Sequence, residues 1–317
     1  MTLFKYEEYR ELLIHKPERQ WTCDPTILIN TTYVDTVPTF SIVIPIHNQQ
    51  NVIQTVLSSV VLNTVGSYEM ILIIDGCTDD TKLRVVEWIE NIQLPTQCVS
   101  MIILENPTGI FETSCDNQGF VISRGKYIVE IQADMKILTF GYNVILATAM
   151  EVYTDIIGVS GRCCHTLNTV TSGLNKGKLG DATKDPHPSS FSSNVVYMSH
   201  TINRGPLVLR NSMIKELGYL DEEHYVLGDD EHDLFTRAWS EKQWRTGFVP
   251  VEVYSPSEWG STRKPMPPDV RHYLTSREHK MKNGFMGKHR SSFLYPQGES
   301  RSMDLSQQIC AYNTLTG

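Results

Sequence analysis

The residues best suited to chemistry are carboxylates placed at the ends of predicted strands. Asp75 closes the apolar run YEMILIID (68–75), and Asp134 follows the strand KYIVEI (126–131) in Gln132-Ala133-Asp134. Asp229, Asp230, Glu231 and Asp233 crowd into the stretch GDDEHDL (228–234). Asp134 offers a hard oxygen ligand of the kind that Mg²⁺ or Mn²⁺ prefers, while Gln132 offers hydrogen bonds without charge. An ionised Asp75 can accept from the imide or amide edge of a base. Acids as close as those of 229–233 should raise one another's pKa, which suits a general base. Each motif also has a structural reading. Asp75 can be a turn residue before Gly76, with Thr78 or Asp79 capping the next helix. Asp134 can cap a helix over 142–150. The acids of 229–233 can open a helix whose dipole favours negative charge.

The elements around these residues alternate in type. TFSIVIPIH (39–47) reads as a strand buried on both faces, and Val52/Ile53, Val56/Leu57 and Val60/Val61 give the helical period after it. YEMILIID is the second strand, DDTKLRVVEWIE (79–90) a helix, and CVSMIIL (98–104) the third strand. ETSCDNQGFVISRG (112–125) reads as a helix interrupted by Gly119, before KYIVEI. Such alternation predicts a mostly parallel, twisted α/β sheet with helices on both faces and a ligand crevice beyond the carboxyl ends of the strands. His47-Asn48, Asp75-Gly76 and Gln132-Ala133-Asp134 all fall there. Residues 172–194, rich in Gly, Ser, Lys and Pro, read as a mobile loop, and GPLVLR (205–210) as a short strand with a helix near 213–217 after it. A further helix is expected at 6–15.

The chain has 317 residues, 40% of them hydrophobic and 20% charged, with a net charge of -8. This is ordinary globular composition, and its acidity disfavours nucleic acid as a partner. The seven cysteines are scattered, without a C-x-x-C pair, which argues against a disulfide framework or zinc site and for a reducing compartment, the cytoplasm. The charged start lacks a signal-peptide core, and the longest uncharged stretch, 47–68, is too polar to span a membrane. Neither a G-x-G-x-x-G nor a correctly spaced P-loop is present, and no Gly-x-Ser-x-Gly elbow supports hydrolase chemistry. The basic run 277–290 reads as a solvated helix face.

Taken in order, SIVIPIHNQQNVIQTVLSSV, EMILIIDGCTDDT, ENPTGIFETSCDNQGFVISRGKYIVEIQADM and RGPLVLRNSMIKELGYLDEEHYVLGDDEHDLFTRAW resemble the family 2 glycosyltransferases. The resemblance implies a GT-A fold at 39–260, with a nucleotide-sugar half (39–135) and an acceptor half (136–260). It leaves 1–38 and 261–317 as extensions. It implies a donor site of Pro45, His47, Asn48, Asp75, Gln132 and Asp134, with Asp134 holding Mn²⁺ or Mg²⁺. Arg204, Gly205 and Asp229 would face the acceptor, and Glu231 or Asp230 would deprotonate its hydroxyl. The donor would be a nucleotide diphosphate sugar, UDP by preference, and the acceptor a glycan or other hydroxyl. Two positions depart from the family's pattern: Ile74 stands for the first acid of its Asp-Asp, and Gln132 for the first acid of its Asp-x-Asp. These departures leave open a non-catalytic domain that binds nucleotide sugar or glycan. A nucleotidyltransferase on a similar sheet lacks its basic triphosphate loop, since the turn after the first strand reads PIHNQQN.

Overall fold

The computed structural model describes residues 25–165, 191–199, 201–260, 266–289 and 300–305. Strand β1 (Thr26–Thr32) precedes a run of alternating elements: β2 (Phe40–Ile46), α1 (Ile53–Asn63), β3 (Tyr68–Asp75), α2 (Thr81–Asn91), β4 (Cys98–Asn106), α3 (Glu112–Ile122) and β5 (Tyr127–Glu130). The second half carries β6 (Lys136–Ile137), α4 (Tyr142–Val152), β7 (Ile156–Ser160), β8 (Cys164–His165), β9 (Val195–Ser199), β10 (Thr201–Ile202) and β11 (Leu207–Arg210). There follow α5 (Asn211–Glu216), α6 (Asp230–Lys242), β12 (Arg245–Phe248), β13 (Val253–Tyr254), α7 (Pro268–Met281), α8 (Phe285–His289) and β14 (Ser300–Ser302).

The main sheet runs β1-β4-β3-β2-β5-β11-β7-β12-β9-β14. Its centre, β4-β3-β2-β5, is parallel, as the strand-helix alternation requires. Side chains alternate between two cores with the period of an extended chain. Ile42, Ile44, Met70 and Leu72 meet α1, α2 and α4 on one face. Val43, Ile71 and Ile73 meet Phe120 of α3 and Leu234 and Phe235 of α6 on the other. Each such fully buried aliphatic side chain contributes about 1.5–3 kcal/mol.

Several expectations are corrected here. Gly119 does not interrupt α3, which is continuous over Glu112–Ile122. A Cβ on Gly119 would stand 2.2 Å from Val43 Cγ1, so glycine there lets the helix lie close on β2. Asp134 does not cap α4, whose N-cap is Gly141. The parallel centre agrees with the mostly parallel sheet expected, to which β11 is added antiparallel between β5 and β7, and β1 antiparallel on the β4 edge. Strand β1 lies within the predicted N-terminal extension and is mostly exposed, so it lacks the apolar alternation that marks inner strands. The expected helix at 6–15 and most of the loop 172–194 fall outside the described residues.

Candidate active site

The carboxyl ends of the parallel strands open on one cavity of 660 Å³. Pro45, His47 and Asn48 reach it from the end of β2, Asp75 from β3, and Gln132 and Asp134 from the turn after β5. The donor-side residues read from the sequence therefore come together. The structure adds Phe111 and Glu112 from the start of α3, Leu227 and Gly228 ahead of α6, and Met266, Pro267 and Val270 from the C-terminal segment.

The β2 and β3 ends are locked to each other. His47 Nδ1–H donates to the Asp75 carbonyl (2.6 Å), and Asn48 Oδ1 accepts from the Thr78 N–H (2.9 Å). Gly76 has φ +50°, and a Cβ there would lie 2.2 Å from the Gly109 nitrogen, so only glycine lets these turns touch. Asp75 is 5% exposed. Its Oδ1 accepts from the Ile110 N–H (2.8 Å) and from Asn106 Nδ2 (3.2 Å), and its Oδ2 from the Phe111 N–H (3.0 Å). Burial raises its pKa, and the two backbone donors oppose that rise. Asp79, for its part, accepts from the Thr81 N–H (3.0 Å) at the start of α2.

Gln132 is held at both ends of its amide. Nε2–H donates to Glu112 Oε1 (3.1 Å), and Oε1 accepts from Arg162 Nη1 (3.1 Å). Asp134 stands on the cavity wall and carries a hard-oxygen carboxylate. Glu112, Asp116 and Glu130 form a second carboxylate group whose oxygens all lie within 4.8 Å of one another. That group already surrounds a cation, Arg204.

Arg204 reaches this point because β11 runs back along β5 with Leu207 opposite Glu130. Its guanidinium hydrogen-bonds to Asp230 Oδ2, with Glu112 Oε2 at 2.9 Å and Asp116 Oδ2 at 3.1 Å. The Gly205 N–H donates to Glu130 Oε2 (3.1 Å). Burial pushes Glu130 up to about 8 and Asp116 well above the usual carboxylate range, with Arg204 pulling against it in both. Arg204 is itself buried, which disfavours its charge, yet Asp230, Glu112 and Asp116 hold it firmly protonated.

The acids of 229–233 do not act as one cluster. Asp233 accepts from Tyr225 Oη, the Met286 N–H and Arg237 Nε, so it ties α6 to its surroundings. Asp230 is raised by burial but pulled down further by Arg204, so its pKa is lowered and not raised as mutual repulsion had suggested. Glu231 is pushed well above the usual range by burial, against the pull of Arg204. Its Oε2 is buried without a hydrogen-bond partner. Asp230 is fully buried and Glu231 is 6% exposed. Neither lines the cavity, nor do Arg204, Gly205 and Asp229, whereas Leu227 and Gly228 do. Asp229 takes the left-handed N-cap position of α6 (φ +62°) without a side-chain cap. Glu112 belongs to both parts, touching the cavity, Gln132 and Arg204. The sequence signal for it was its place at the opening of the helix that follows β4.

Residues 41–139 match glycosyl transferase family 2. The uncharacterized glycosyltransferase YibD of Escherichia coli (strain K12) is 23% identical over 124 residues, or 39% of this chain and 34% of that protein. The chain thus spans about a third of the length of this curated relative. The mannosyltransferase PcManGT from Pyrobaculum calidifontis, solved in complex with GDP-Man and Mn²⁺, superposes with a TM-score of 0.52 at 14% identity, over 93% of this chain and 73% of that one. GalNAc-T7, solved with UDP, GalNAc and Mn²⁺, gives 0.50 at 15% identity, over 90% and 55%. Among the described residues no helix is long and apolar enough to cross a membrane. Residues 41–139 therefore carry the likeness to glycosyl transferase family 2, and the chain as a whole has the GT-A fold of these solved glycosyltransferases.

Proposed function

We propose that this protein transfers a sugar from a nucleotide diphosphate sugar to a hydroxyl of a glycan or similar acceptor, with inversion. The observation that carries this reading is the convergence of Pro45, His47, Asn48, Asp75, Gln132 and Asp134 on one cavity at the carboxyl ends of parallel strands, where ligands of such sheets bind. UDP is the favoured nucleotide, with GDP and dTDP as alternatives. The sugar is a hexose or pentose, and the product a growing polysaccharide or glycan. Free thiols at Cys77, Cys98, Cys115, Cys163 and Cys164 fit a cytoplasmic workplace.

In this reading Asp134 is the ligand for Mn²⁺ or Mg²⁺, which when bound supplies positive charge against the departing diphosphate. Gln132 is a positioning group, its amide fixed by Glu112 and Arg162. Asp75 fixes the loop that carries Phe111. Glu231 is the base. Burial raises its proton affinity, and one of its carboxylate oxygens is buried without a hydrogen-bond partner. Asp230 is committed to Arg204, which makes it the weaker candidate. The acceptor hydroxyl reaches Glu231 past Gly228, where a Cβ would meet nothing within 4 Å. Arg204, Gly205 and Asp229 support this side without lining the cavity.

The second reading, a binding module without turnover, draws on the engaged amide of Gln132 and on the burial of Glu231. Release of nucleoside diphosphate from UDP-, GDP- and dTDP-sugars, with Mn²⁺ and a panel of glycans, separates the two. Turnover that falls about 10²–10⁴-fold in Glu231→Gln, at unchanged donor affinity, supports the enzyme. Donor binding without turnover in the wild type supports the module.

A further inference from the structure

We infer that Glu112 is a positioning residue that couples the donor cavity to the base: drawn toward a cation in the cavity, it releases Arg204 to the carboxylates of α6. This rests on the donor cavity and the base proposed above. Glu112 stands in the middle of a continuous chain of contacts. Arg162 Nη1 donates to Gln132 Oε1 (3.1 Å), and Gln132 Nε2–H donates to Glu112 Oε1 (3.1 Å). Glu112 Oε2 meets Arg204 Nη1 at 2.9 Å, and Arg204 Nη2 donates to Asp230 Oδ2. Asp230 Oδ1 in turn accepts from the Glu231 N–H (2.9 Å). The chain begins beside the cavity and ends on the backbone of the base.

Glu112 is the link that a ligand can reach. Of the carboxylates in contact with Arg204, Asp116 and Asp230 are fully buried, whereas the Glu112 side chain is 20% exposed and lines the cavity. On the cavity side it rests on a neutral amide, a weaker partner than a cation. The neutral residue at 132 has its reason here. An acid in that place would set like charges against each other, and Gln132 makes the same contact a hydrogen bond. With Glu112 against it, Arg204 divides one positive charge among Glu112, Asp116 and Asp230. With Glu112 turned to the cavity, a negative charge leaves the buried group and the acids that remain ionise more easily. Glu231 lies in the field of Arg204 together with Glu112 and Asp116 of α3, Glu130 of β5 and Asp230 of α6, and His232 Nε2 stands 3.9 Å from its Oε1. Burial holds a proton on Glu231 while Glu112 stays on Arg204. Donor binding then breaks that carboxyl O–H bond and sends the proton to solvent, so the base is ready only when a sugar is in place.

The test counts protons. The full chain is titrated calorimetrically with UDP-glucose, GDP-mannose and dTDP-glucose, each with Mn²⁺ and without acceptor, in PIPES, HEPES and TES buffers near neutral pH. A diphosphate diester has no proton to lose in this range, so a heat that changes with the buffer reports protons of the protein. The wild type should release up to about one proton per nucleotide sugar bound. The release should fall by at least about half in Glu112→Gln, which lacks the bridging charge from the outset, and should vanish in Glu231→Gln. Glu112→Ala should match Glu112→Gln and serves in its place if that variant does not fold. Heats independent of buffer in the wild type overturn the inference while leaving the donor cavity standing. Undiminished release in the Glu112 variants also overturns it, because the coupling then runs through another group. Release that persists in Glu231→Gln overturns it too, because the proton then comes from another carboxyl such as Asp116 or Glu130. If no nucleotide sugar binds the wild type, the donor-cavity reading falls and this inference falls with it.

Discussion

Two networks that pair an arginine with buried carboxylates stand near opposite ends of the same sheet, and they differ in how fully their groups are satisfied. Near the start of β3, Glu69 is fully buried, yet both its oxygens are engaged. Oε1 accepts from Ser41 Oγ (2.6 Å) and the Arg124 N–H (2.7 Å), and Oε2 from Arg124 Nε (2.7 Å) and Ser100 Oγ (3.3 Å). This is one negative charge against one positive charge, with every lone pair directed. At the cavity end, Arg204 faces Glu112, Asp116 and Asp230, with Glu130 and Glu231 also within its field. Oxygens of Asp116, Glu130 and Glu231 lack hydrogen-bond partners. A network that serves only the fold closes its polar groups, because an unsatisfied buried group costs about 1–3 kcal/mol. A network that leaves several open beside a ligand cavity retains proton affinity for chemistry.

The largest expected effect is the loss of the arginine that these buried carboxylates surround. Arg204→Met should destabilise the protein by about 3–5 kcal/mol at neutral pH, since it leaves buried carboxylates uncompensated. Denaturant unfolding should show this loss shrinking at acid pH as those groups take up protons. Arg124→Met should cost less, about 1–3 kcal/mol, because Glu69 keeps the hydroxyls of Ser41 and Ser100 and the Arg124 N–H. Equal losses for the two variants would erase the distinction between the networks.

A finer test uses pH. Glu130 is raised from 4.5 to about 8 in the folded chain. A carboxyl raised on folding binds its proton more tightly in the native state, so its contribution is intact below pH 4.5 and is lost as pH climbs toward 8. Glu130→Gln keeps an acceptor for the Gly205 N–H without that liability. Its melting temperature should exceed the wild type's above about pH 8, with the gap closing toward pH 4.5. A gap that is flat with pH would show that Glu130 does not titrate in this way. A last test concerns packing away from either network. Gly119→Ala drives a methyl into Val43 and should cost about 1–3 kcal/mol, read from the urea midpoint.

The first, strand-helix half was legible in the sequence because its signals are local. TFSIVIPIH and YEMILIID are apolar throughout, and the rule that ligands sit beyond the strand ends led directly to His47, Asp75 and Asp134. The Arg204 network was not legible. Its members come from 112, 116, 130, 204 and 230–231, and they meet only because β11 enters antiparallel between β5 and β7. No periodicity in GPLVLR announces that pairing. The spacing of Asp229, Asp230, Glu231 and Asp233 shows that the acids are close but not which cation reaches them. Arg204 and Arg237 then divide them, one claiming Asp230 and the other Asp233. Phe111 escaped notice because nothing in TGIFET signals a left-handed aromatic. The wall formed by Met266, Pro267 and Val270 lies in a segment rich in Pro and charge, where sequence pattern gives no partner.

The central claim is that the cavity at the strand ends binds the donor through Asp134 and a divalent ion. Its most direct test is equilibrium binding of UDP, GDP and dTDP to the wild type and to Asp134→Asn, each in Mn²⁺ and in EDTA. The account predicts that one nucleotide binds in Mn²⁺, and that either EDTA or the substitution abolishes its binding. Binding of equal strength in EDTA and in Asp134→Asn would contradict it.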